Sequence, residues 1–146
     1  MTDFWTSWQP RILSLLRFMA GFLFVWHGTQ KLFGFPPSPG GGGGGVSTII
    51  LIAGALEFLG GLLLMAGLFT RWTAFVLSGL MAVAYFMAHG LNAFLPIVNK
   101  GELAVLYCFV FLYMFFAGGG SISVDSPLNR HSAEKERLNG VLDRDF

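Results

Sequence analysis

The sequence predicts an all-α, polytopic membrane protein built as a bundle of four transmembrane helices. Three observations predict it. Hydrophobic residues make up 54% of the 146-residue chain and charged residues only 12%, against about 25% charged in an ordinary soluble domain. Mean hydropathy is correspondingly high, at +0.65. The apolar residues gather in four stretches, each close to the roughly 20 helical residues that cross a bilayer core of about 30 Å. The same composition excludes a disordered chain, and a net charge of +1 leaves no basic footprint for nucleic acid. With Cys108 the single cysteine, the chain can form neither an internal disulfide nor a dithiol relay.

The four stretches are residues 12–33, 46–68, 72–93 and 102–118. The segment 36–45 combines three prolines with six consecutive glycines, which cannot hold a helix, and is expected to be a loop. Arg71 marks a tight second connection and residues 96–101 a third. Residues 1–120 form the membrane domain; beyond the glycines at 118–120 the composition turns polar, and residues 121–146 are expected to be a cytoplasmic tail, solvated from Asp125 onward. The first stretch is too long for a signal peptide and lacks an A-x-A site, so it is expected to be retained.

Positive charge orients the bundle. With both termini on one side, that side holds Arg11, Arg17, Arg71, Arg130, Lys135, Arg137 and Arg144, and the other only Lys31 and Lys100. Both termini are therefore expected to be cytoplasmic.

Polar groups in a bilayer point into the bundle, because lipid cannot solvate them. Each helix offers one such stripe at helical spacing: Arg17, Gly21, Phe24, Gly28 and Lys31, with His27 adjoining; Ala53, Glu57, Gly60, Gly61 and Leu64; Ser78, Ala82, Tyr85, His89 and Asn92; Glu102, Leu106, Phe109, Tyr113 and Phe116. At 1.5 Å per residue, His27 and His89 lie about 22 and 25 Å from the cytoplasmic ends of their helices, and Glu57 about 16 Å from the outer end of its own. Lys31, Asn92, Asn99 and Glu102 fall near the same outer level. A carboxylate at Glu57's depth is costly unless neutral or paired, with His27 and His89 the expected partners.

Two explanations of this cluster compete. It is interhelical hydrogen-bond glue, or it is a functional site, the usual meaning of ionisable groups within a membrane. Arg17 and Arg71 need only snorkel to headgroups, Cys108 is expected to be an inert buried thiol, and the small residues serve close packing. Three functional readings remain. In the first, a quinone or similar redox lipid sits among the helices. Glu57, His27 and His89 then handle protons, Phe109, Tyr113 and Tyr85 line the slot, and Lys31, Asn92 and Glu102 sit around it. In the second, His27 and His89 ligate haem b; the crowding by Glu57 and Lys31 opposes it. In the third, the chain is a non-catalytic anchor or accessory subunit. No nucleotide loop, nucleophile elbow or metal-ligand spacing appears.

The residues also carry a resemblance. His27-Gly28-Thr29-Gln30-Lys31-Leu32-Phe33-Gly34, the stretch Gly54-Ala55-Leu56-Glu57-Phe58-Leu59-Gly60-Gly61 continuing through Gly67-Leu68-Phe69-Thr70-Arg71, His89, Asn99-Lys100-Gly101-Glu102, and Phe116-Ala117-Gly118-Gly119-Gly120 with Ser123 and Asp125 resemble, in order, the motifs of DoxX-like membrane proteins. The resemblance covers about residues 11–125 and is specific as a set. It implies a four-helix protein of the bacterial inner membrane, associated with quinone-linked oxidoreductases and working with a partner subunit or as a homo-oligomer. The Pro/Gly run at 36–45 departs from the family's ordinary loop.

Overall fold

A computed structural model describes residues 2–37, 47–90 and 93–127. Four long helical segments pack around one core: α1 (Thr2–Phe33), α2 (Thr48–Ala66), α3 (Thr70–Ala84), continued by a π-helical turn at Tyr85–Gly90, and α5 (Glu102–Ala117). A short α4 (Pro96–Asn99) precedes α5. Three segments are long and apolar enough to cross a membrane: 4–33, 48–66 and 70–90. At 16 residues, α5 spans only about 24 Å. It is apolar throughout and packs along α3.

α1 pairs with α2, and α3 with α5, while α2 and α3 meet over a smaller area. Phe24, Leu64, Ala74, Leu77, Met81, Tyr107, Phe111 and Met114 bring all four together in one buried core. Phe24 sits 5.0 Å from the ring of Phe111 and 5.2 Å from that of Tyr107. Large apolar side chains such as Leu15, Ile52, Phe75 and Leu106 face outward. That arrangement costs nothing in lipid, where packing rather than hydrophobic exclusion joins helices. Gly28 permits the close crossing of α1 on α2: a Cβ there would stand 2.5 Å from the Phe58 backbone nitrogen.

α1 begins ten residues before the expected start. Pro10 and its polar neighbours lower the hydropathy of this turn, yet the helix runs through them. Trp5, Trp8 and, at the start of α3, Trp72 project outward at this end, and Arg11 stacks 5.1 Å over Trp8, as in an interfacial aromatic belt. α2 turns into α3 over three residues. Gly67, at φ 70°, closes α2 by donating to Leu64 O, and Leu68 N donates to Leu63 O, the left-handed cap that glycine allows.

The structure bears on two expectations. The chain does not leave the bundle at residue 121: residues 121–127 run back across the ends of α1 and α2. Ser121 N donates to Pro10 O, Val124 N to Ala66 O and Asp125 N to Gly67 O. The Asp125 carboxylate accepts from Phe69 N and Thr70 N at 2.9 and 2.8 Å, capping α3 from a distant part of the chain. Residues 128–146, and most of the 36–45 loop, lie outside the described residues. Nor does Arg17 snorkel to headgroups. It is 2% exposed and donates to Leu64 O, Met65 O, Gly119 O and Ile122 O. Backbone carbonyls of α2 and of the segment after α5 thus solvate a cation that lipid could not.

Candidate functional site

The polar residues of the helices resolve into two groups in the half of the bundle where α1 and α3 end. In the first, Lys31 Nζ donates to Glu57 Oε1 in an ion pair between α1 and α2. Glu57 is 2% exposed and the Lys31 side chain 34%. The antiparallel register sets this up: Gly54, one turn before Glu57, lies against the Lys31 stem, so the ammonium reaches deeper into the bundle to meet the carboxylate. Glu57 Oε2 is buried and has no hydrogen-bond partner among the described residues. A carboxylate with one oxygen paired and the other idle retains an acceptor site.

The second group ties the π-helical turn to the segment before α5. Asn99 is its hub: Nδ2 donates to Ala93 O at 2.7 Å and to the Tyr85 hydroxyl at 3.2 Å, while Oδ1 accepts from Gly101 N at 2.7 Å. The Tyr85 hydroxyl donates to Phe94 O. His89 Nδ1 lies 3.0 Å from Asn99 O. A carbonyl can only accept, so this bond places the proton on Nδ1 and leaves Nε2 of the neutral ring as the basic nitrogen. π-Helical turns recur at functional positions.

Glu57 is thus paired with Lys31, not with either histidine. His27 packs its ring 6.4 Å from those of Phe24 and Tyr107. Tyr85 and His89 each bond to Asn99 rather than to one another, and Asn92 lies outside the described residues. Among the described residues, no hydrogen bond or ion pair joins the Lys31–Glu57 pair to the Tyr85–His89–Asn99 group.

The stripe expected on the last helix is turned outward. Phe109 is 64% and Tyr113 57% exposed, and Glu102, Leu106 and Phe116 face out with them. Tyr107, Phe111 and Met114 point inward instead. Phe109 and Tyr113 therefore do not line an interior slot beside Glu57. Tyr107, which the sequence reading passed over, is the aromatic polar residue that faces His27. The thiol of Cys108 lies 3.6 Å from the Ser78 hydroxyl, which donates to Cys108 O. Among the described residues no group of three or more His, Cys, Asp or Glu side chains stands ready for a metal ion.

These features define a multi-pass helical membrane protein with an ion pair buried between its first two helices. The family model described as DoxX matches residues 12–90. The chain is also 46% identical over 124 residues to an uncharacterized protein of Haemophilus influenzae, covering 82% of this chain and 92% of that one. The chain belongs to the DoxX family. No solved structure matches it. His27, Lys31, Glu57 and His89 lie within the region matched by the family model, whereas Tyr107 and the segment bound by Arg17 lie beyond it.

Proposed function

We propose that this protein is a redox-associated subunit of the bacterial inner membrane that binds a quinone or similar redox lipid, with Glu57 as its proton-handling group. The observation that carries the reading is the idle, buried Oε2 of Glu57, in a carboxylate whose other oxygen is held by Lys31. A quinone, when bound, supplies coupled electron and proton transfer. Glu57 would hold or release a proton at Oε2. Lys31, partly exposed, would keep the carboxylate charged when no proton is there. His89 offers a second base at Nε2, fixed by its bond to Asn99, and His27 and Tyr107 edge the aromatic interior.

Electrons in this reading come from a partner subunit. The reading includes no haem, so the purified chain is expected to be colourless, without a Soret band. Both termini are assigned to the cytoplasm, the side holding Arg11 and Arg71 and their interfacial tryptophans. The test is purification of the full chain from its native membrane, followed by extraction and identification of bound lipid. Quinone retained in amounts comparable to the protein supports the reading; its absence from folded protein contradicts it.

A second reading, a non-catalytic anchor for a larger complex, is favoured by another observation. Arg17, Ser78 and Tyr85 spend their donors on backbone carbonyls, which fixes helices rather than ligands. Substitution of Glu57 separates the two.

A further inference from the structure

We propose that the cleft where α3 begins binds the phosphate of a membrane phospholipid, with Arg71 as its charged anchor. The cleft has a volume of about 700 Å³ and is lined by Thr70, Arg71, Trp72, the glycines at 118–120 and Ser121. Arg71 NH1 donates to Phe115 O and Phe116 O at 3.0 and 2.9 Å, pinning the guanidinium to the last carbonyls of α5. Among the described residues no hydrogen bond reaches its Nε or NH2, which leaves them available for an anion, the fork geometry that suits phosphate.

Two further donors in the lining lack an acceptor. Thr70 is fully buried, and neither its hydroxyl nor that of Ser121 has a hydrogen-bond partner. Buried hydroxyls are ordinarily satisfied, so a pair left open beside an underused arginine points to a missing acceptor. Glycine lets this segment pack close to the buried hydroxyl: a Cβ at Gly119 would stand 2.9 Å from the Thr70 hydroxyl and as near to the Ser123 side chain.

Asp125 also lines the cleft and keeps its negative charge, but both of its oxygens accept from Phe69 N and Thr70 N, which turns them to the helix terminus. The occupant is a lipid rather than a free ion because the cleft lies at the level of the tryptophan belt. Trp72, 71% exposed, adjoins it and offers an apolar surface for the attached chains, as aromatic residues do at headgroup depth.

The experiment is native mass spectrometry of the full chain in a non-ionic detergent, titrated with phosphatidylglycerol. The unmodified protein should retain one lipid, and excess inorganic phosphate should not displace it. Arg71→Gln should weaken retention about tenfold or more, the scale of a lost charge-assisted hydrogen bond. The double variant Thr70→Val/Ser121→Ala, which leaves the arginine in place, should weaken it severalfold and decides the matter if Arg71→Gln does not fold. Equal retention by the unmodified protein and the folded variants would overturn the proposal. Displacement by inorganic phosphate would also overturn it, in favour of a free-anion site.

Discussion

Lys31, two residues from the end of α1, turns its ammonium inward to Glu57 Oε1 rather than outward to water. A cation within reach of solvent thereby neutralises a carboxylate that is not. Removing one member of a buried pair leaves the other charge uncompensated, at a cost of about 3–5 kcal/mol. Lys31→Met leaves the buried Glu57 carboxylate without its cation and should fall within that range. The double variant Lys31→Met/Glu57→Gln should recover most of the loss. Thermal unfolding of the four proteins in detergent measures the coupling; additive losses would mean that the pair contributes nothing.

Arg17 serves the opposite end of the bundle. Its four carbonyl partners lie on α2 and on the segment after α5, so Arg17→Met should loosen both attachments. Hydrogen bonds to a charged group are each worth about 1.5–3 kcal/mol, and the expected loss exceeds 3 kcal/mol. Asp125→Ala, which uncaps α3, should cost only about 1 kcal/mol. Proteolysis should cut residues 118–127 much faster in Arg17→Met; unchanged cleavage would show that the segment is held by other contacts.

Two glycines should respond with opposite sign. Gly28→Ala drives a methyl into the backbone at Phe58 and should separate α1 from α2, lowering the unfolding temperature. Gly79→Ala meets nothing within 4 Å and should raise stability by up to about 1 kcal/mol, through helix propensity alone. Similar shifts for both variants would count against the α1–α2 crossing described above.

Orientation is open to a direct test. Alkaline phosphatase fused after Phe35 should be active, and fused after Phe69 inactive, because the proposed orientation puts the first point outside and the second in the cytoplasm. The reverse pattern would place the Lys31–Glu57 pair in the cytoplasmic half.

The sequence revealed most where chemistry and periodicity coincide. Arg17, Gly21, Phe24 and Gly28 face inward as their spacing predicts, as do Glu57, Gly60, Gly61 and Leu64. α5 was illegible by that route because it is apolar all round. Glu102, its first polar landmark, sits at the helix start, where a charge can face water without any inward stripe. The early start of α1 was hidden by Pro10, whose carbonyl is used by Ser121 N, a contact more than a hundred residues away in sequence. Pairing was harder still. Depth placed Glu57, Lys31, His27 and His89 in the outer half of the bundle, but only the helix register shows that Lys31 wins the carboxylate.

In the proposed function, Glu57 moves protons for a bound redox lipid. The most direct measurement is quinone-linked turnover of membranes carrying Glu57→Gln with the native partner proteins, with folding confirmed by unfolding temperature. The amide keeps hydrogen bonding but cannot exchange a proton, so turnover should fall about 10²–10⁴-fold while quinone is still retained. Full turnover with normal quinone retention would contradict the account and leave Glu57 as a structural partner of Lys31.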